Sequence, residues 1–198
     1  MDVKIFISIL MSAILVNNFV LRQFLGMCPF LGVSKVLKDA AGMGIAVTIV
    51  MVIATAVTWP MEVYLLEANG LSYLRTIVFI IVIASLVQLV EIVLKKYLPF
   101  LYKTLGVFLP LMATNCAILG VTILNITKNY TYIESLVNAL GSGLGFLLGM
   151  VIFAGIREYN ENANPPESFK GLPLTLISAS ILSLAFFGFS GIIENMFK

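Results

Sequence analysis

Histidine is absent from all 198 residues. That absence removes imidazole metal ligation and the commonest acid–base group in catalysis. Cysteine is nearly absent: Cys28 and Cys116 are the only two, which cannot build a disulfide framework. Charge is scarce as well, at 11% of residues, where soluble domains carry about 25%. A basic leader is missing too. The chain starts Met1-Asp2-Val3-Lys4, without a positive n-region or small-residue cleavage site, so the first apolar run reads as retained membrane structure.

What remains is 60% hydrophobic, with mean hydropathy +1.05. Such a chain reads as an all-α polytopic membrane protein embedded in a lipid bilayer. The net charge of +2 does not point to nucleic acid, because the basic residues lie at the ends of apolar runs. A bilayer core of about 30 Å takes ~20 apolar helical residues. The first run, Ile5 to Val33, exceeds one straight span and is interrupted by Asn17, Asn18, Arg22 and Gln23. Gly26 and Pro29 flank Cys28, and proline cannot donate into the helical ladder. A broken helix is expected there, its freed backbone groups facing protein.

Further runs extend from Gly42 to Trp59-Pro60 and on towards Leu66, from Tyr73 to Leu94, from Leu105 to Ile126, from Tyr132 to Ile156 and from Leu172 to Ile193. Trp59 and Tyr64 are placed as interfacial anchors. The fourth run holds Pro110 ahead of Asn115-Cys116, and the fifth carries Gly141, Gly143, Gly145 and Gly149, which permit close helix approach. The segment from Arg157 to Gly171 is loop-like. The expectation is one membrane domain, 1–198, of six transmembrane helices, with the first and fourth broken near the cysteines. Loops after the first, third and fifth spans hold Lys35, Lys38, Lys95, Lys96, Lys103, Arg157 and Lys170; the opposite side holds Lys4, Arg75, Lys128 and Lys198. The positive-inside rule then places both termini outside the cytoplasm.

Both cysteines open the same string, Cys-x-x-Leu-Gly-Val, 88 residues apart. An offset of three spans forces opposite orientations. The chain is therefore expected to be two inverted three-helix repeats, about 1–98 and 99–198, with Asn17 equivalent to Leu105. Cys116 falls roughly 16 Å into its span, near the midplane.

Taken singly, either cysteine is readily explained as packing, since a buried thiol behaves as a small hydrophobe. Symmetric placement beside helix breaks favours chemistry, because exposed backbone N–H groups favour thiolate or sulfide. A disulfide would leave the broken backbone unexplained. Two thiolates fall short of the four needed for zinc or an iron–sulfur cluster, although a related subunit carrying the same pair could complete the set.

Several strings carry a resemblance. Leu15-Val16-Asn17-Asn18-Phe19-Val20-Leu21, Phe24-Leu25-Gly26-Met27-Cys28-Pro29-Phe30-Leu31-Gly32-Val33-Ser34-Lys35 and Gly106 to Ala117 (GVFLPLMATNCA) are among them, with Tyr73-Leu74-Arg75-Thr76 and Ala154-Gly155-Ile156-Arg157-Glu158. Together they resemble the membrane-subunit family shared by the Rnf complex (its A and E subunits) and the sodium-pumping NADH:quinone oxidoreductase (its D and E subunits). Asn-Asn-Phe-Val with Cys-Pro-Phe-Leu-Gly-Val-Ser-Lys is similar to the A-type branch. The resemblance implies an integral subunit of a translocase in the bacterial inner membrane. That complex carries electrons between reduced ferredoxin and NAD and couples them to Na+ or H+ transport, and the chain is not catalytic alone. It implies pairing above all with the E subunit, alongside the B, C, D and G subunits, which supply the flavins and other clusters. It also implies a shared 2Fe–2S cluster for which Cys28 and Cys116 are this chain's ligands.

On that expectation Gly26, Gly32 and Gly120 let the backbone approach the cluster, and Thr114 and Asn115 are donors behind the ligands. Gln88 and Glu91 are intramembrane polar residues, Glu91 reaching the cytoplasmic interface beside Lys95 and Lys96. Two rival readings stand beside this one. Inverted repeats with broken helices also mark secondary transporters, and a purely structural anchor would make the cysteines incidental.

Overall fold

The computed structural model describes residues 9–16, 18–33, 37–68, 70, 72–97, 114–162, 166 and 169–196. Asn17, Ser34, Lys35 and the stretch 98–113, with Leu105 and Pro110, lie outside the described residues, as do Lys4, Lys103 and Lys198. Among those described, the regular structure is helical throughout. A π-helical segment, α1 (Ser12–Val16), leads to α2 (Phe19–Gln23) and α3 (Met27–Val33). Then come α4 (Leu37–Met61), α5 (Arg75–Tyr97), α6 (Cys116–Thr127), α7 (Tyr132–Asn162) and α8 (Leu172–Met196).

Among the described residues, three helical stretches are long and apolar enough to cross a membrane: Leu37–Glu67, Arg75–Val93 and Tyr132–Asn160. Two more, Cys116–Thr127 and Leu172–Gly188, are apolar but shorter. On α5 one stripe, Phe79, Ile83 and Val87, is buried, whereas Ile77, Ile80, Ile81, Leu89 and Ile92 are exposed. In water so much exposed aliphatic surface on one helix would be costly; in a bilayer it is the expected outer face.

Lipid is as apolar as leucine, so helices in a membrane associate through close packing and hydrogen bonds rather than hydrophobic burial. The pair α4 and α7 illustrates this and forms the most extensive contact among the described elements. A Cβ on Gly44 would fall 2.5 Å from Leu147 Cδ1, and one on Gly143 would fall 2.6 Å from Thr48 Cγ2. The other side of α7 receives the N-terminal segment, where Gly145 meets the carbonyl oxygens of Ala13 and Ile14 at 3.2 Å from a virtual Cβ. The glycines of α7 thus admit a neighbour on each of two faces, as their density predicted.

Pro60 does not end α4. The helix continues through Met61 and widens into a π-helical turn over Glu62–Glu67. Proline withholds an N–H from the ladder and crowds the preceding turn, and a local change of winding accommodates this. One residue earlier, Trp59 Nε1 donates to Tyr130 O (2.9 Å) and its ring meets Tyr132 edge-on at 5.4 Å. The C-terminal end of α4 is thereby tied to the turn between α6 and α7. Tyr64 remains 74% exposed, free to lie at an interface.

Candidate functional site: the cysteine junction

The chain leaves α2 through two residues of positive φ. Phe24 adopts φ 55°, ψ 23°, and its N–H donates to Phe19 O. Leu25 N donates to the same oxygen at 3.0 Å. Gly26 follows at φ +85°, a conformation open to glycine at little cost. Helix α3 then starts at Met27, with Cys28 second and Pro29 third. Proline is tolerated in a first turn, where its missing N–H has no intrahelical partner anyway. The break expected beside Cys28 is present, but Phe24 and Gly26 make it, and Pro29 only follows.

The second cysteine opens α6. Asn115 is extended (φ −72°, ψ 111°) and its Oδ1 accepts from Ala117 N at 3.0 Å, a standard N-cap. Cys116 is the first helical residue, and its Sγ lies 3.9 Å from Thr114 O, to which the thiol donates. Asn18 repeats this arrangement at the head of α2. Its backbone is φ −61°, ψ 112°, and its Oδ1 accepts from Val20 N and Leu21 N.

The two segments meet. A Cβ on Gly26 would stand 3.0 Å from Phe146 Cε2, 3.1 Å from Ala117 Cβ and 3.1 Å from Asn115 Oδ1. Gly120 faces Leu25 and Phe19 across the same contact, its virtual Cβ 3.5 Å from Leu25 Cδ1. The turn ahead of Cys28 is therefore packed on the residues flanking Cys116. Phe146 lies 14 residues into α7, which places the junction about 21 Å along that helix, near its middle. Gly32 faces open space, and Thr114 is exposed. Cys28 and Cys116 are both free and exposed.

Surrounding contacts brace the junction. Phe30 stacks on Phe153 with centroids 4.1 Å apart. Arg157 Nη1 donates to Leu31 O at 2.8 Å, placing a cation on an orphan carbonyl near the end of α3. Ser183 Oγ donates to Leu21 O, which ties α8 to α2.

A family model described as "Rnf-Nqr subunit, membrane protein" matches residues 6–193. The chain belongs to the Rnf-Nqr family. It is 53% identical over 185 residues to the A subunit of the Na(+)-translocating ferredoxin:NAD(+) oxidoreductase complex of Acetobacterium woodii, covering 93% of this chain and 96% of the relative. It is 51% identical over 192 residues to the A subunit of an ion-translocating oxidoreductase complex of Syntrophotalea carbinolica, covering 97% of this chain and all of the relative. The A subunit of the complex so described in Proteus mirabilis is 51% identical over 189 residues, 96% of this chain and 98% of the relative. Family and helices agree on a multi-pass membrane protein.

The donor set of this Rnf-Nqr chain can be tested against the 2Fe–2S cluster that the resemblance implies. Such a cluster takes four thiolates, and the whole sequence holds two. Among the described residues, no group of three or more His, Cys, Asp or Glu converges to hold a metal. The chain can supply half a site, and both halves of its pair lie on the surface where another chain can reach them. Behind them Asn115 is 3% exposed and its Nδ2 has no acceptor among the described residues, a donor suited to sulfur carrying negative charge. On thiol number, exposure and donor chemistry, the residues fit half of a shared cluster.

Other residues of this Rnf-Nqr chain escaped the sequence reading. Glu62, fully buried, receives Arg75 Nε at 2.6 Å on Oε1. Asn138 Nδ2 donates to Asn125 Oδ1 at 2.7 Å, and Asn125 Nδ2 donates to Ser135 O at 3.3 Å. Asn18 Nδ2 donates to Gly145 O at 2.7 Å. The signal available was polarity inside apolar runs, since such groups are costly unless paired. Gln88 is exposed and Glu91 half-buried on α5, away from the junction's contacts.

Proposed function

We propose that this chain is the A-type membrane component of an ion-translocating ferredoxin:NAD oxidoreductase in the bacterial inner membrane. In this reading Cys28 and Cys116 are two of four thiolate ligands to a 2Fe–2S cluster, and an E-type subunit supplies the other two. The observation that carries it is the meeting of a helix break and a helix start, each presenting an exposed free cysteine. A thiol placed for packing would face inward; these face outward from a rigid seat. The six-span inverted-repeat plan, with both termini outside, belongs to the same proposal.

The cluster, when bound, supplies a reversible one-electron acceptor without proton chemistry. The chain's own residues do the rest. The αL turn at Phe24 and Gly26 and the cap at Asn115 hold the thiols at fixed places, and Phe146 and Ala117 close the seat from behind. Moving one charge across a membrane involves about 2.3 kcal/mol per 100 mV, so the position of an electron held at mid-helix depth bears energetically on Na+ or H+ transport.

The experiment is to replace Cys28 or Cys116 by Ala in the purified complex. The expected result is loss of the 2Fe–2S signal by electron paramagnetic resonance (EPR), with loss of electron transfer. A full signal with electron transfer intact would overturn the proposal. A secondary transporter is the second reading. One observation favours it: Thr55, Ser135, Asn138, Ser142 and Asn125 are all buried on α4, α6 and α7. Cysteine variants that keep cation transport while losing nothing spectroscopic would select it.

A further inference from the structure

Two asparagines of this chain do the same backbone work, and among the described residues only one is satisfied. Asn18 and Asn115 both cap a helix from an extended conformation, φ −61°, ψ 112° and φ −72°, ψ 111°. Both are buried, at 1% and 3% exposure. In each, Oδ1 accepts from backbone N–H groups. That bond settles which way the amide points, because the flipped amide would set donor against donor. Asn18 Nδ2 then donates to Gly145 O at 2.7 Å. Asn115 Nδ2 has no acceptor among the described residues. A buried donor left unmade forfeits its hydration with nothing in return, and the fold demonstrates at Asn18 how the same group can be served.

The unserved amide belongs to the residue immediately before Cys116, and its Oδ1 lies 3.1 Å from the virtual Cβ of Gly26, two residues before Cys28. Its Nδ2 is thus fixed, in the residue next to Cys116 and packed against the turn before Cys28, by a cap it cannot leave without uncovering Ala117 N. Cys116 Sγ at present bonds weakly to Thr114 O as a donor. A thiolate has no proton for that bond and turns acceptor, which is what the amide lacks.

Resting on the shared-cluster reading, we infer that Asn115 is a potential-setting residue: its Nδ2 donates to a sulfur of the liganded site. A donor at sulfur stabilises the more negative, reduced state and raises the reduction potential. Asn18 does not have this role, because its donor is spent on α7.

The test uses the whole purified complex with Asn115→Ser and Asn115→Asp. Both substitutes are good N-caps, so α6 keeps its start, and both remove the amide donor. The Ser variant adds no charge. The expected result is a cluster at normal occupancy, whose reduction equilibrium falls roughly tenfold in the Ser variant, about 59 mV for one electron. In pulsed EPR of the reduced complex, a weak side-chain nitrogen coupling present in the parent should vanish in both variants. An unchanged potential with unchanged nitrogen coupling would overturn the inference and leave Asn115 a cap only. If neither variant assembles, the parent alone decides: a complex grown with 15N-asparagine and showing no asparagine coupling refutes it. Failure of the underlying reading looks different, namely a full 2Fe–2S signal that survives Cys28→Ala.

Discussion

Replacing Arg75 by Leu should destabilise this protein more than any single change at its partner. Arg75 places Nε at 2.6 Å and Nη2 at 2.5 Å from the same oxygen, Glu62 Oε1. The pair is lopsided in its access to solvent: Arg75's side chain is 25% exposed and Glu62's is 0% exposed. Glu62 Oε2 has no hydrogen-bond partner among the described residues, so the guanidinium is the only described group that balances the carboxylate. Removing it leaves an uncompensated buried charge, for which about 3–5 kcal/mol is typical. Glu62→Gln leaves the cation instead, and Arg75 can turn towards water, so a loss of about 1–2 kcal/mol is expected. Replacing both residues by Leu should cost less than the two single changes together, because no charge is then stranded. Trp59, the only tryptophan, sits one turn away and bonds to Tyr130 O, so its fluorescence reports on this end of the bundle. Thermal unfolding of the detergent-solubilised chain, followed at Trp59, should show Arg75→Leu lowered by on the order of 10 °C. If Glu62→Gln falls as far as Arg75→Leu, the argument from unequal burial is wrong.

Two further predictions concern the junction. Gly26→Ala meets both a positive φ of 85° and three atoms at 3.0–3.1 Å, one of them Asn115 Oδ1. A loss of about 1–3 kcal/mol and a disturbed 2Fe–2S EPR line shape are expected, whereas Gly32→Ala, which faces open space, should leave both unchanged. Since Cys28 and Cys116 are free and exposed, a membrane-permeant maleimide should modify both in the isolated chain under non-reducing conditions, and neither in the assembled complex. Modification that requires a reductant would show a disulfide, and equal labelling in the complex would remove the partner from the site.

Periodicity and punctuation made much of the architecture legible, with physical limits that particular residues illustrate. The extents of α5 and α8 follow from unbroken apolar runs, and the crowding of glycines on α7 announced close neighbours. Proline was the less reliable mark. Pro29 lies inside the first turn of α3 and Pro60 inside a continuing helix, because proline disrupts only the bond its own nitrogen would have made and the turn before it. The true break falls at Phe24, where a bulky residue adopts a left-handed conformation that no local propensity would assign to it. Tertiary contacts, the Gly26 seat above all, impose it.

Long-range pairings were beyond reach for a different reason. Asn18 meets Gly145 across 127 positions and Arg157 meets Leu31 across 126, so nothing in either local string specifies the other. Arg75 could be counted as a loop charge only because Glu62, 13 residues away, lies past a turn whose path a helical projection cannot draw. The cysteine site shows both sides of this limit. Each Cys-x-x-Leu-Gly-Val string was visible alone, and the Asn before Cys116 was marked as a donor on its neighbourhood. That Asn115 and Gly26 touch, and that the amide is left with nothing to bond, depends on two halves of the chain meeting at the middle of α7. The repeated string therefore marks the proposed ligands, while the amide left without a partner among the described residues, which only the folded chain reveals, marks the donor that the proposed site would use.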